Sequence, residues 1–437
     1  MKSLSLSLLS ICVLSFILIY SCSTDEEPVA PVVQTPQYSL TVTAGEGGTV
    51  STEGGTYDEG TEVTITASAN EGFIFNGWEG NNTPEKSLTI SLNSNIVLTA
   101  NFRLMNTTDI INDPEIFNYD VNKDYKEKKV DFYPFAFFAS DLSQNVIDGV
   151  NLALKTAAEE WGKYGPVEYW VFGTDKQASL DLINKFCERR ETLNQWTITE
   201  CLTRETDETA DHSMIAYQKV GENAILNNRP SGSAAHNGGQ YWGIHKMAHS
   251  YPFGFDNVFE GIPPQGDFKT VLHEYFHVVQ LSSVYSLEQE EMDEAVKPNE
   301  TIWMMEGGAE YMANYTLFKL INNGTLSFQK SWGSLKDKMS EKMRRGKEIF
   351  LEDCPNSLLN EFNHQFCRQP GYDLGSWGVA YLLNKVNNQR VLLETFYPNL
   401  KELGFEGAFN LSFGYSTSEF YNEFYEFLKL PIEQQLE

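Results

Sequence analysis

The run Thr270-Val271-Leu272-His273-Glu274-Tyr275-Phe276-His277-Val278-Val279-Gln280 contains neither proline nor glycine, so it can form one unbroken helix. Residues four apart on a helix share a face, which sends His273 and His277 out together, one turn apart. Two imidazole nitrogens at that separation can share one Zn²⁺, and Glu274, displaced around the helix, can reach a water at an open coordination position. A second helical stretch, Trp303-Met304-Met305-Glu306-Gly307-Gly308-Ala309-Glu310-Tyr311-Met312-Ala313, places Glu306 and Glu310 on one face. Glu306 can complete a His₂Glu ligand set, and Glu310 can accept the second N–H of a ligating histidine. The apolar neighbours of these two carboxylates mark a buried setting and not a solvated helix face. A chain with this pair of segments has to fold so that the two helices meet.

The combination of His273-Glu274-x-x-His277 with Glu306-Gly307-Gly308-Ala309-Glu310-Tyr311 resembles the gluzincin metallopeptidases, and its spacing is most similar to the catalytic domains of bacterial collagenase-type enzymes. The resemblance covers Phe268 to about Leu383. It implies a zincin-like fold, one catalytic Zn²⁺ on His273, His277 and Glu306, and Glu274 as general base and later proton donor. It also implies a downstream tyrosine that holds the oxyanion. Gly371-Tyr372-Asp373-Leu374-Gly375 supplies Tyr372 for that role, and a role in packing alone is the plainer alternative. Nothing in the sequence marks collagen as the substrate, so the expected partner is a protein or peptide.

At 437 residues the chain is too long for one ordinary core. Residues 38–103 read as a small all-β module, because short alternating runs such as Leu40-Thr41-Val42, Val63-Thr64-Ile65 and Leu88 to Leu92 are punctuated by glycines. Gly47-Gly48-Thr49-Val50, Gly60-Thr61, Gly72-Phe73 and Gly77-Trp78 resemble the internalin-type B-repeat modules of bacterial surface proteins, which implies a spacer or adhesion element. Trp78 reads as a core residue in preference to a ligand contact. Residues 104–437 read as one α+β domain. Strand candidates fall at Val130 to Phe138, Val167 to Phe172, Met214 to Tyr217 and Tyr241 to Ile244, with helices around Val146–Trp161 and Leu182–Cys187. From Phe268 onward nearly everything reads helical, including Ser416 to Leu428 with a Ser416/Glu419 capping box.

Residues 1–22 read as an address. Lys2, an apolar run from Leu4 to Tyr20 and then Ser21-Cys22 resemble a bacterial lipoprotein signal, which implies a membrane attachment through lipid on Cys22 at the outer membrane or cell surface. An uncleaved anchor is the alternative. Residues 23–37, acidic and then proline-rich, form a tether with a fully extended reach on the order of 50 Å. Four further cysteines, Cys187, Cys201, Cys354 and Cys367, suit an oxidising compartment. Of the three possible pairings, the local ones, Cys187 with Cys201 and Cys354 with Cys367, are favoured.

The formal net charge of −28 argues against nucleic acid as a partner, because such a surface repels phosphate backbones. The acidic stretch Glu288 to Glu294 lacks a glycine-containing ligand loop, so Ca²⁺ is possible but unsupported and a solvated connector is the plainer reading. His245 and His249 are four apart without a neighbouring carboxylate and read as ordinary histidines. His212, His236 and His364 carry no pattern. Two rival functions remain open at this level: a zincin-like surface protein without catalysis, and an adhesion or glycan-binding lipoprotein whose function lies in residues 38–103.

Overall fold

A computed structural model describes residues 35–104 without 71–72 and 82–85, residues 129–130, and residues 133–435 without 237–242, 261, 287–288, 298–300 and 329–332. The expected signal segment with Cys22 and nearly all of the expected tether lie outside the described residues. The chain divides into two compact units, Met1–Leu104 and Met105–Glu437.

In the first unit, β1 (Gln37–Ala44), β3 (Gly54–Asp58), β5 (Phe73–Glu79) and β7 (Ile96–Leu104) form a sheet of order β3-β1-β7-β5. A second sheet, β2-β4-β6, combines Gly48–Val50, Glu62–Ala69 and Ser87–Ser91. Strand alternation sends Leu40, Val42, Ile65, Ala67, Leu98 and Ala100 into one small core. The outward residues pair as hydroxyl ladders, Thr43 with Thr99 at 3.0 Å and Thr64 with Thr89 at 2.9 Å. Trp78 is buried in the core. Gly54 and Gly55 lie inside β3 and do not form a turn. A Cβ on Gly54 would stand 2.1 Å from the Leu40 carbonyl oxygen, so the β1/β3 pairing requires glycine there.

The second unit is α+β and mostly helical toward its C-terminal end. Its sheet, in the order β10-β11-β9-β8, comprises β8 (Phe135–Phe138), β9 (Val167–Val171), β10 (Ala234–His236) and β11 (His245–His249). The β8/β9 and β9/β11 pairs are parallel, and β10 is antiparallel at the edge. Helix α1 (Gln144–Trp161), capped by Ser143, makes the crossover from β8 to β9. Every residue of β9 is buried, including Glu168, which is held by Arg189 and Arg190 from α2 (Lys176–Thr192). Helix α3 (Ile198–Glu205) follows a Thr197/Glu200 capping box.

Two strand expectations are corrected. Met214 to Tyr217 begins a helix, α4 (Met214–Leu226), whose buried residues Met214, Ile215, Tyr217, Gln218, Gly221 and Ala224 recur at helical spacing. Tyr241 lies outside the described residues and Ile244 precedes β11, so that strand begins at His245. The Val130–Phe138 strand is also shorter than expected, starting at Phe135.

Both disulfides join the locally favoured pairs, Cys187–Cys201 and Cys354–Cys367. Such bonds fit an oxidising extracellular setting. Among the described residues, no helix is long and apolar enough to cross a membrane.

Candidate metal centre

Helix α5 (Gln265–Ser282) is buried on nearly every side, with Phe268, Val271, Leu272, Tyr275, Phe276, Val278 and Val279 all in the core. Its first turn is held by Asp267, which accepts the backbone N–H groups of Gly254 and Phe255 at 2.6 and 3.0 Å. Burial raises the Asp267 carboxyl to about 7. Midway along, the Tyr275 hydroxyl donates to the Gly162 carbonyl at 2.9 Å and accepts the Tyr164 N–H at 3.0 Å, fixing α5 to the end of α1. His273 and His277 therefore project from an immobilised rod.

The second carboxylate-bearing segment is α7 (Ile302–Asn322). It meets α9 (Arg368–Lys385) through two glycines. A Cβ on Gly307 would lie 2.3 Å from the Gly375 carbonyl carbon, and one on Gly375 would lie 2.6 Å from the Trp303 oxygen. Only glycine allows this backbone approach. The crossing places Glu306 and Tyr372 on neighbouring helices facing α5. Helix α8 (Leu335–Asp353) completes the surround, and α10 (Tyr397–Phe413) supplies a buried tyrosine.

These elements bring His273, His277 and Glu306 together, with one ligand atom from each lying within 4.8 Å of the others. The His273 and His277 Nε2 atoms are 3.2 Å apart, and Glu306 Oε2 lies 3.2 Å from the first and 3.4 Å from the second. Tetrahedral ligands about 2.0–2.1 Å from a zinc ion stand roughly 3.3–3.4 Å from one another, so the donor spacing fits that ion.

The hydrogen bonds behind the ligands reinforce the fit. His273 Nδ1 donates to Glu310 Oε2 at 3.1 Å, and His277 Nδ1 donates to Gln280 Oε1 at 2.8 Å. Gln280 is oriented in turn because its amide N–H groups go to the Met305 carbonyl at 3.0 Å and the Tyr397 hydroxyl at 2.9 Å. With both Nδ1 positions protonated, each ring in the neutral form that ligates a metal would turn an Nε2 lone pair inward, beside a carboxylate oxygen. Three electron-rich atoms converging in a buried place call for a cation.

The same surplus of negative charge appears in the titration of the cluster itself, where a proton on His273 meets it until a metal displaces that proton. Burial disfavours a charged His273, yet Glu306, Glu310 and Glu274 outweigh it and raise this imidazole to about 9. Burial likewise opposes ionisation of Glu306 and Glu310, but their cationic neighbours hold both well below the usual carboxylate range. For Glu310 those neighbours are Lys269 at 2.9 Å and Lys342 at 2.7 Å, and Lys342 also reaches Asp373 at 3.3 Å. Glu274 differs. Burial pushes its carboxyl up, and among the described residues none donates a hydrogen bond to it.

A cavity of 710 Å³ opens over this cluster, lined by His273, Glu274, His277 and Glu306 on one side and by Tyr372 and Arg368 on another. The Tyr372 ring lies parallel to that of His273, with centroids 6.5 Å apart, and its hydroxyl interacts with Arg368 and Glu306. Burial raises the pKa of that hydroxyl, so it remains a proton donor at neutral pH.

All six expected site residues are thus gathered in one place, and several others join them without having been expected. Gln280 had a readable signal, since it stands one turn past His277 on the same face. Arg368 also had one, four residues before Tyr372. His212 and His364 line the cavity from loops, where no periodicity could announce them. His236 ends β10, where it pairs with Met247 of β11. From the acidic connector, Met292 and Asp293 of α6 (Gln289–Val296) also line the cavity, so that segment is partly wall and not only solvated surface. His245 and His249 stay apart from the cluster, buried in β11 against Ser282 and Tyr169, and burial lowers His249 to about 3.

Residues 38–106 match the family model of the divergent InlB B-repeat domain. No curated protein and no solved structure matches the chain.

Proposed function

We propose that this protein is a zinc-dependent peptidase of the gluzincin kind, with a zincin-like catalytic domain preceded by a surface-protein β module. The observation that carries the reading is the His₂Glu cluster at tetrahedral spacing, with the Glu274 carboxylate, which no described residue hydrogen-bonds, beside it on the wall of a large cavity. A structural metal site has no use for such a base.

Zinc held by His273, His277 and Glu306 supplies Lewis acidity, which lowers the pKa of a water and polarises a carbonyl. Glu274 then takes a proton from the attacking water and passes it to the leaving nitrogen. Burial, which raises the pKa of this carboxyl, favours the proton-accepting role. Tyr372 donates its hydroxyl proton in a hydrogen bond to the oxygen on which negative charge develops. Ala234 and Ala235 of the edge strand β10 also line the cavity, which suits an extended peptide adding to the open side of the sheet. The lipid anchor on Cys22 and display at the cell surface belong to this same reading, in which the tether and the β module hold the catalytic domain away from the membrane.

The test is Glu274→Gln. The variant is expected to bind one zinc like the parent while hydrolysis of a proteome-derived peptide pool falls roughly 10²- to 10⁴-fold. An unchanged rate removes Glu274 from the reaction, and zinc binding without any hydrolysis by the parent favours a non-catalytic zincin.

A further inference from the structure

We propose that Arg368 makes this cleft selective for substrates that present a carboxylate near the scissile bond, an inference that rests on the peptidase reading above. Arg368 lies in the first turn of α9, one turn before Tyr372, and its exposed side chain lines the same cavity as His273, Glu274 and Glu306. The chain has 60 acidic and 32 basic side chains, yet among the described residues no carboxylate forms an ion pair with Arg368. Its one assigned neighbour is the Tyr372 hydroxyl. That hydroxyl occupies part of a guanidinium that carries five N–H donors.

Other groups in the cavity point the same way. His212 and His364 add two imidazoles to its lining. The α9 N-terminus brings the positive end of an 18-residue helix to the same place, and its cap residue Cys367 contributes no side-chain hydrogen bond to the first N–H groups. Leu281, Met292, Val296 and Ile302 give the same cavity apolar lining. A guanidinium at the edge of an apolar cleft binds a carboxylate through two parallel hydrogen bonds, an arrangement an amide cannot reproduce. The carboxylate could come from an Asp or Glu side chain or from a peptide C-terminus, and both offer the same chemistry.

The experiment uses zinc-loaded full-length protein and alanine-based peptides in which one Glu is scanned through the sequence and replaced in parallel by Gln. Each peptide is made with a free and with an amidated C-terminus. One carboxylate-bearing series is expected to show a KM roughly tenfold or more below its uncharged counterpart, the size of a charge-assisted hydrogen bond. Preference in the Glu series alone assigns a side chain, and preference in the free-acid series alone assigns the C-terminus. Arg368→Met is expected to abolish the preference, bringing the ratio of KM for charged and uncharged peptides to about one, and Arg368→Lys to restore part of it.

Equal treatment of charged and uncharged peptides by the parent overturns the inference. So does an equal loss of kcat on both by Arg368→Met, which would make Arg368 a positioning residue for Tyr372 only. Binding of the same peptides to zinc-loaded Glu274→Gln protein separates the two levels. A carboxylate preference in binding, without hydrolysis by the parent, keeps the site and removes the peptidase reading. Hydrolysis without preference removes only this inference.

Discussion

Glu310 stands behind the first histidine, and Lys269, Lys342, the Asn314 amide and the His273 N–H all end on it. On the zinc reading proposed above, its service is orientation of the first histidine. Glu310→Gln is expected to weaken zinc binding about 10- to 100-fold in competition with a chelator, with the far-ultraviolet spectrum unchanged. Retained affinity would leave Glu310 with a purely structural part. Glu168 makes the opposite case, a buried charge remote from the chemistry. Burial opposes its ionisation, but Arg190 and Arg189 hold its pKa below the usual value. Glu168→Gln deprives two buried guanidinium groups of their counter-charge and is expected to cost about 3–5 kcal/mol in urea unfolding at neutral pH. A depressed folded pKa contributes stability that is complete above the unfolded value of about 4.5 and disappears as pH falls through the folded one. The difference between parent and variant is therefore expected to shrink in acid.

At the scale of elements, the α7/α9 crossing decides whether the ligands and Tyr372 meet. Gly375→Ala forces a methyl group against the Trp303 backbone, and is expected to cost about 1–3 kcal/mol and to lower zinc affinity and kcat together. A loss of stability with an intact metal site would show that the two helices can part without moving Glu306. This crossing was not legible in the sequence. Glu-Gly-Gly-Ala-Glu announces Glu306 and Glu310 through helical spacing, but the need for Gly307 arises only from Gly375, a partner distant along the chain. Helices α5 and α7 were legible because periodicity acts within one element. Met214 to Tyr217 was misread because four apolar and aromatic residues suit a strand as well as a helix, and only the repeat through Gly221 and Ala224 decides. In the β module, strands were readable where β-branched residues alternate. β3 was not, since its glycines serve a close approach to Leu40 and resemble turn punctuation. His212 and His364 show the same limit in the cavity wall, where tertiary packing alone sets the neighbours.

Across the whole molecule, two covalent bonds close loops with sequence separations of 14 and 13 residues. Loop entropy assigns each about 3 kcal/mol, so reduction is expected to lower the thermal midpoint of the second unit by several degrees. The two bonds differ in what they guard. Cys187–Cys201 ties α2 to α3, remote from the metal cluster. Cys354–Cys367 ends on the residue that starts α9, immediately before Arg368 and one turn ahead of Tyr372. A Cys354→Ser/Cys367→Ser double variant is expected to lose hydrolysis beyond its loss of stability, while Cys187→Ser/Cys201→Ser loses stability alone. Peptide hydrolysis below each variant's melting range separates the two. On the peptidase reading, for a chain made in a reducing cytoplasm and sent outward, the oxidation of Cys354 and Cys367 would then be an arming step. The hydrolytic residues would be present from synthesis, but their alignment would arrive only with the environment in which cleavage is safe for the cell that made them.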